Sequence, residues 1–333
     1  MRRHKLWSGI LAAMFLVVSL GGCSLTGKQG KQVVLSLNHV GSTSSQYQSG
    51  SEKFAELVEE KTAGAARVEV YPASQVASGT KAIEFVQMGS LDIALESTMS
   101  TENFIPETGV LNLPFLFKDE EEAFRVLDGP VGDAIKAKAE ERGFLILAWW
   151  LNGFRDISNS KQAITNPQHL AGMKIRVPES AVFLRTFETM GAVPTTMASS
   201  EVFTALQLKT VDGQENPSTF YFDSKFNEVN QYYSKTHHIF TAEPLVMNLE
   251  RFQSLPEDMQ QQIREAAQEA AVYQRLLTID NQQGYLQRME AAGVIINDVT
   301  DDERMVFRQA VQPVYDMYQD KYGSLLEQIE AAK

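Results

Sequence analysis

The apolar residues in the first half of the chain form short runs that alternate with amphipathic stretches. The run Val33–Leu37 predicts a strand, and the spacing of Phe54, Leu57 and Val58 predicts an amphipathic helix over Ser45–Lys61. The same patterns predict strands at Arg67–Tyr71, Leu91–Leu95 and Phe144–Trp150, and helices at Thr80–Met88, Glu120–Leu127 and Val131–Arg142. This alternation is typical of an α/β fold with a parallel sheet and right-handed crossovers.

A second α/β unit begins near Asn152. A strand is predicted at Lys174–Val177, helices are predicted at Ser180–Met190 and Ser200–Lys209, and Val211 opens a further short strand. The sequence therefore predicts two α/β units, one after the other.

The last third of the chain is predicted to be helical. Ser254 and Glu257 have the spacing of a capping box, and between Glu257 and Ala292 there is no proline and one glycine, Gly284. A helix of that length would extend about 57 Å at ~1.5 Å per residue, so it either bridges both units or breaks near Gly284. Asp301–Ile329 is predicted to be a further helical tail.

The N-terminus carries a pattern typical of an export signal. Met1–Lys5 is basic, Leu6–Leu20 is apolar but too short to span a bilayer, and a glycine pair then precedes Cys23. This arrangement resembles a bacterial lipoprotein signal. It predicts a signal peptide over residues 1–22, lipidation of Cys23 on the extracytoplasmic side of the membrane, and a flexible tether over residues 23–32. A plain secretory signal with a chance cysteine is the alternative.

Length, composition and charge narrow the class of protein. At 333 residues, with 44% hydrophobic and 22% charged residues, the chain fits an ordinary globular protein of about two domains. Its single cysteine excludes an internal disulfide. Loss of Arg2, Arg3 and Lys5 with the signal peptide would change the formal net charge from −12 to −15. Such an acidic protein is not expected to bind nucleic acid, and an anionic ligand would need locally concentrated arginine.

Two arginines lie where an α/β fold can place a ligand site. Arg155 follows the last predicted strand of the first unit, and Arg176 lies inside a short strand of the second. An arginine in such a strand either points into a cleft or pairs with a carboxylate. Structural ion pairs with Glu179 or Asp156 are therefore the alternative to ligand binding.

Three polar side chains fall at predicted strand ends, where α/β folds bind ligands: Asn216, Glu96 and Asn38. The alternative for Asn216 is a turn residue before Pro217, and the alternative for the other two is a solvated surface side chain. Four aromatic residues offer a sugar-stacking wall, although core packing is the alternative for each: Trp149, Trp150, Phe220 and Tyr221.

Signals for an enzyme or a metal site are weak. The sequence has no H-E-x-x-H, C-x-x-C or G-x-S-x-G motif and no glycine-rich phosphate loop. His237 and His238 are adjacent, and adjacent side chains on a strand point to opposite faces, so they do not favour a shared metal ion. We expect no catalytic residue, cofactor or metal.

Several segments, taken together, resemble the extracytoplasmic solute receptors of tripartite ATP-independent periplasmic (TRAP) transporters, the DctP family. "KIRVP" and "VDGQENP", in this order and at this spacing, are the most specific, and the likeness extends from Val33 to about Asn297. The other matching segments are "EKFAELVEEKTAGAARVEVYP", "LNLPFLF", "NGFRD", "LAGMKIRVPES", "MGAVPTTMASSEVFTALQ" and "THHIF".

The resemblance implies a two-domain α/β fold of the periplasmic-binding-protein type, in which strands cross the hinge and a long helix spans both domains. Domain I would comprise residues 33–152 and 242–281, and domain II residues 153–241 and 282–333. The domains would close around a ligand in the cleft between them.

The resemblance also implies which residues bind. Arg176 matches an arginine that forms a bidentate salt bridge with the substrate carboxylate, and Asn216 matches an asparagine that hydrogen-bonds the same end. Arg155 matches a second arginine often found on the carboxylate. Asn38 and Glu96 match two ligand contacts of the sialic-acid-binding branch.

Four residues depart from that branch and argue against sialate itself. Met99 stands where the sialate receptors carry an arginine, Ser199 replaces an aromatic residue, and Ser78-Gly79 replace an acidic residue. If Glu96 faces the pocket, it would repel a second carboxylate and accept hydrogen bonds from hydroxyls. That favours a sugar acid such as a hexuronate or aldonate over a C4-dicarboxylate.

The sequence thus predicts a receptor, not an enzyme, that acts as a monomer and delivers an organic-acid anion to a membrane permease for ion-gradient-driven uptake. A C4-dicarboxylate receptor and a receptor that serves a sensor kinase are the alternatives. A secreted uronate hydrolase or lyase is disfavoured, because the chain beyond residue 22 has few histidines: His39, His169, His237 and His238.

Overall fold

The structure, a computed structural model, describes residues 32–333. The predicted signal peptide, the lipidation of Cys23 and all but the last residue of the predicted tether lie outside the described residues. No helix within residues 32–333 is both long and apolar enough to cross a membrane.

Strands and helices alternate through most of the described chain. The nine strands of residues 32–333 are β1 Val33–His39, β2 Ala66–Tyr71, β3 Ile93–Leu95, β4 Phe144–Asn159, β5 Lys174–Val177, β6 Val193–Thr196, β7 Gly213–Asn216, β8 Tyr232–Asn248 and β9 Ile295–Asp298. The α-helices are α1 Gln46–Lys61, α2 Thr80–Gln87, α3 Thr98–Thr101, α4 Glu120–Leu127, α5 Pro130–Glu140, α6 Ala181–Thr189, α7 Val202–Gln207, α8 Ser218–Asp223, α9 Leu249–Gln253, α10 Glu257–Ala291, α11 Asp301–Ala310 and α12 Gln312–Ala332.

All nine strands belong to one sheet, in the order β2-β1-β3-β8-β4-β7-β5-β6, with β9 paired to β8. On one side β1 is parallel to β2 and β3, and on the other side β5 is parallel to β6 and β7. Between these groups, β4 and β8 run antiparallel to each other. β4 continues to Asn159, beyond the predicted end at Trp150. The prediction ended too early because nearly the whole strand is buried, so no apolar–polar alternation marks its second half. Two α/β halves thus share a pair of crossing strands.

The crossing strands are irregular near the middle of their length. The register of β4 against β8 shifts between Leu151 and Gly153 and again between Arg155 and Ile157. Gly153 has φ +127°, a region that favours glycine, and His237 of β8 has φ +45°. Such bulges bend a strand and increase its twist, so the crossing pair changes direction where the two halves meet.

Helix α10 is continuous over 35 residues and does not break at Gly284. The predicted capping box is wrong: Pro256 occupies the cap position, and the Ser254 hydroxyl instead donates to the carbonyl of Arg251 at 2.6 Å. Gln274, in the middle of α10, accepts from the backbone N–H of Leu151 and donates to the Leu151 carbonyl, both at 2.8 Å. This amide pairs with β4 as another strand would, and it ties the long helix to the bend of the crossing strands.

The predicted tail is helical, and it divides at Val311 into two helices, α11 and α12. Helix α12 packs against α6 of the second half and also against α4 and α5 of the first. The predicted domain boundaries stay a prediction, since the tail contacts both halves.

Candidate functional site

A cavity lies between the two halves, at the carboxyl ends of β1, β3, β5 and β7. The halves touch across it: the Thr80 hydroxyl donates to Glu179 at 2.9 Å, and the Asn103 amide donates to the Glu179 carbonyl at 3.2 Å. The cleft is therefore closed. Polar lining residues from the first half and the crossing strands are Glu96, Ser97, Ser100, Asn152, Arg155 and Glu243, and those from the second half are Arg176, Glu179, Ser199 and Asn216.

Arg176 is a buried cation without a carboxylate partner. It is 2% exposed, and its Nε and Nη2 donate to the carbonyl of Met197 at 3.0 and 2.6 Å. Within residues 32–333 no carboxylate oxygen lies within 4.0 Å of its guanidinium, so the alternative of a structural pair with Glu179 is not formed. Burial lowers the pKa of Arg176 to about 10, which still leaves it charged at neutral pH. An unpaired buried charge is costly, and an anionic ligand would compensate it.

Arg155, in contrast, has a carboxylate partner. Its Nε and Nη2 contact the two carboxylate oxygens of Glu215 at 2.5 and 2.8 Å, and Nη2 also donates to the Glu215 carbonyl at 2.8 Å. The ion-pair alternative is thus formed, although with Glu215 of the neighbouring strand β7 and not with Asp156 or Glu179. Burial opposes the ionisation of Glu215, but Arg155 and His238 outweigh it and lower the pKa of Glu215. Nη1 of Arg155 makes no hydrogen bond to the described part of the chain.

Asn216 lies at the end of β7 and lines the cavity. Its Oδ1 accepts from Nη2 of Arg155 at 2.8 Å, and its Nδ2 donates to Oε1 of Gln214 at 2.5 Å. An amide nitrogen has two N–H groups, so one remains for a ligand. These two hydrogen bonds fix the orientation of the Asn216 amide, so that the group it offers to the cavity is an N–H donor.

Glu96 is buried just after β3 and lines the cavity, so the condition on which its expected role depends is met. Its Oε1 accepts from the backbone N–H of Gly79 at 3.2 Å. Burial, and then the nearby Glu243, raise the pKa of Glu96 well above its usual range. The predicted repulsion of a second carboxylate by an ionised Glu96 is therefore weakened in the closed cavity.

Glu243, on β8, is a cavity residue that the sequence analysis missed. It is 2% exposed, and its Oε1 accepts from the Tyr47 hydroxyl at 3.1 Å and from Nδ2 of Asn152 at 2.8 Å. Burial raises its pKa to about 8. The signal available in the sequence was a single acidic residue inside the otherwise apolar run "FTAEPLVM".

Asn38 is buried but does not line the cavity. Its Oδ1 accepts from the backbone N–H of Val76 at 3.1 Å, and its Nδ2 donates to the Ala77 carbonyl at 2.9 Å. Both ends of the amide therefore hold the loop that carries Gly79 to the cavity wall. This geometry gives Asn38 a positioning role and does not support a direct ligand contact.

Of the four aromatic residues, only Phe220 lines the cavity. Trp149, Trp150 and Tyr221 are buried in the core, and the Tyr221 hydroxyl donates to the Asn230 carbonyl at 2.5 Å. These three residues therefore pack in the core and do not form a sugar-stacking wall. Three of the residues that depart from the sialate branch do line the cavity: Gly79, Met99 and Ser199.

The two adjacent histidines point to different surroundings. His238 is buried with its Nε2 3.4 Å from Oε2 of Glu215, whereas the His237 side chain is 40% exposed. No group of three or more His, Cys, Asp or Glu side chains within residues 32–333 is arranged to hold a metal ion.

Comparison with known proteins identifies the family. The model for the DctP family, described as bacterial extracellular solute-binding protein, family 7, matches residues 37–321. The 2,3-diketo-L-gulonate-binding periplasmic protein YiaO of Escherichia coli is 36% identical over 80% of this chain and 81% of its own. The C4-dicarboxylate-binding periplasmic protein DctP of Rhodobacter capsulatus is 31% identical over 97% of each chain.

The fold likewise matches solved structures. A TRAP periplasmic solute-binding protein from Roseobacter denitrificans, solved with bound β-D-glucuronate, superposes with a TM-score of 0.87 at 33% identity, over 90% of this chain and all of that one. The predicted two-domain fold, the TRAP resemblance and a receptor that is not an enzyme are confirmed. Such receptors bind small carboxylates outside the cytoplasm and work with a membrane permease. The chain belongs to the DctP family of TRAP transporter solute receptors.

Proposed function

We propose that this receptor binds a polyhydroxylated monocarboxylate, such as a hexuronate or an aldonate, and delivers it to its permease. In this proposal Arg176 and Asn216 bind the carboxylate, and Nη1 of Arg155 and the carboxyl of Glu96 make further contacts. Asn38 acts through the loop that it holds.

The unpaired guanidinium of Arg176 carries the proposal. Its planar fork matches a carboxylate with parallel charge-assisted hydrogen bonds, which a lysine ammonium cannot reproduce. The free N–H of Asn216 adds a donor at the same wall of the cavity. Binding of one carboxylate would compensate the buried charge and stabilise the closed form.

A monocarboxylate fits better than a dicarboxylate, because the cavity offers one uncompensated cation. Arg155 is balanced by Glu215, so a second carboxylate would meet no free positive charge among the described lining residues. It would instead meet Glu96, Glu179 and Glu243. Hydroxyl groups, which both donate and accept, are compatible with these carboxyls. The glucuronate bound by the Roseobacter protein belongs to this chemical class.

A C4-dicarboxylate is the second candidate, favoured by the name of the Rhodobacter capsulatus relative. Isothermal titration calorimetry with D-glucuronate, D-galacturonate, D-gluconate and succinate separates the two. We expect a sugar acid to bind with a Kd near or below ~1 μM and succinate at least tenfold more weakly. Tight succinate binding with no response to the sugar acids would overturn the proposal.

We also propose that the mature receptor is a monomer anchored by lipid at Cys23. The glycine pair before the single cysteine supports the anchor. Mass spectrometry of the membrane fraction should find an acylated N-terminal Cys23, and Cys23→Ser should release the protein from the membrane. An unmodified, soluble protein with Cys23 intact would contradict the anchor, and a dimer mass in light scattering would contradict the monomer.

A further inference from the structure

Glu243 uses one of its carboxylate oxygens in hydrogen bonds within the protein, and the other oxygen makes none to the described residues. Oε1 receives hydrogen bonds from Tyr47 of α1 and Asn152 of β4, two buried residues on different elements. These bonds hold the carboxyl in one orientation. Oε2 is buried and has no hydrogen-bond partner within residues 32–333.

Asn152, which is hydrogen-bonded to Glu243, also has one side-chain atom with a partner and, within residues 32–333, one without. Its Nδ2 is committed to Glu243, whereas its Oδ1 is buried and, in the described chain, also without a partner. Both side chains line the cavity. Buried polar atoms in folded proteins nearly always find a partner, and a buried acceptor left without one costs about 1–3 kcal/mol. Unsatisfied oxygens on two hydrogen-bonded side chains that line a cavity therefore indicate a place that a ligand group fills.

We propose that Glu243, together with Asn152, is the specificity-determining contact that recognises hydroxyl groups of the ligand; this rests on the proposed binding of the ligand carboxylate at Arg176. A hydroxyl group has both a donor and acceptors, as these two atoms require. It accepts a hydrogen bond from a protonated Oε2 of Glu243 and donates its own proton to Oδ1 of Asn152.

Burial favours the protonated form of Glu243, whereas the hydrogen bonds from Tyr47 and Asn152 and the charge of Arg155 oppose it. Tyr47 faces it from α1, Arg155 from β4 and Glu96 from the segment after β3. The charge of Arg155 is already engaged by Glu215, and Glu96 would add a second negative charge. Burial raises the pKa of Glu243 to about 8 in the closed form. Closure around a hydroxy acid at neutral pH should therefore take up a proton.

Two variants separate hydrogen bonding from charge. Glu243→Gln keeps a polar side chain of the same shape and cannot titrate, whereas Glu243→Leu removes both hydrogen-bonding oxygens. Glu265→Gln, on the exposed face of α10, is the matched control. The probes are D-gluconate and hexanoate, which share a six-carbon acid chain and differ in hydroxyl groups.

In calorimetry at pH 7 we expect Glu243→Leu to weaken gluconate binding about 10- to 100-fold, in line with the loss of one or two hydrogen bonds. Hexanoate binding should change less than threefold. Wild-type affinity for gluconate should fall as the pH rises from 5 to 8, and Glu243→Gln should flatten this profile. If Glu243→Leu is too unstable to measure, the pH profile of Glu243→Gln carries the test.

The outcomes distinguish this inference from the proposed function. If gluconate binds and Arg176→Ala abolishes that binding, but Glu243→Leu and Glu243→Gln behave as wild type, the role of Glu243 is wrong and the proposed function stands. If none of the sugar acids binds the wild type, the proposed function itself is wrong.

Discussion

Arg155 and Glu215, on the neighbouring strands β4 and β7, form a buried bidentate ion pair with N···O distances of 2.5 and 2.8 Å. The pair is electrically balanced, so it builds the cavity wall without attracting an anion. Arg176 lies in the same cavity and has only the Met197 carbonyl as a protein partner among residues 32–333. The two arginines, both of which the resemblance places on the ligand carboxylate, therefore have different surroundings.

Arg176→Ala should abolish ligand binding. Loss of a buried charge-assisted contact costs about 2–5 kcal/mol, which corresponds to at least a ~30-fold weaker affinity. Arg176→Lys should not restore binding, because an ammonium group lacks the planar fork. Calorimetry with the sugar acid that binds the wild type most tightly measures both variants.

Arg185→Ala is the control for Arg176, since Arg185 lies on α6 in an exposed ion pair with Glu188. It should bind as the wild type does. Without ligand, Arg176→Ala should unfold at a temperature near that of the wild type or higher, because it removes an uncompensated buried charge. A large loss of stability with unchanged affinity would assign Arg176 a structural role.

Glu215→Gln should strongly destabilise the receptor. It leaves Arg155 buried without an anion, and breaking a buried pair in this way costs about 3–5 kcal/mol. Glu188→Gln, which removes an exposed partner of Arg185, should change the unfolding free energy by less than ~1 kcal/mol. Urea denaturation of both variants at pH 7 makes the comparison, and equal effects would mean that the Arg155–Glu215 pair is not a buried one in solution.

Gly153→Ala and Gly284→Ala should change stability in opposite directions. Gly153 has φ +127° at the bend of β4, so a side chain there is strained and should cost at least ~1 kcal/mol. Gly284 lies inside α10, and an added Cβ would meet open space, so alanine should stabilise the helix by about 0.5–1 kcal/mol. Thermal unfolding distinguishes the two, and a neutral Gly153→Ala would show that the bend does not need glycine.

The unfolding free energy should depend on pH through Glu243. A carboxyl whose pKa is raised on folding contributes stability that is complete below its unfolded pKa of 4.5 and is lost as the pH rises through about 8. We therefore expect the contribution of Glu243 to fall by up to ~1.4 kcal/mol per pH unit between these values. Urea denaturation from pH 5 to 8 should give a flatter profile for Glu243→Gln than for the wild type, and identical profiles would show that Glu243 is ionised in the folded protein.

Local patterns predicted the elements that carry a clear apolar face or a clear end. Helix α4 and strand β5 begin and end as predicted, and α1 begins one residue after the predicted Ser45, which caps it. The crossing strands β4 and β8 were harder to predict from the sequence. Both of their faces are buried, so β4 shows no alternation beyond Trp150, and β8 was expected only through the family resemblance.

The site was predictable where a residue type is unusual for its position. An arginine inside a short strand and a polar residue at a strand end pointed to Arg176, Arg155, Asn216 and Glu96, all of which line the cavity. The carboxylate partner of Arg155 could not be predicted, because it depends on the register of β4 against β7. Asn38 is also a polar residue at a strand end, but its side chain hydrogen-bonds the loop at Val76 and Ala77 and not the cavity. Glu243 was missed because it lies within an otherwise apolar run.

A crystal structure of the receptor with its tightest-binding sugar acid tests the central claim most directly. We predict that the ligand carboxylate lies about 3 Å from the guanidinium nitrogens of Arg176 and from Nδ2 of Asn216, as charge-assisted hydrogen bonds require. A ligand carboxylate bound elsewhere in the cavity, with the guanidinium of Arg176 still held only by the Met197 carbonyl, would contradict the claim.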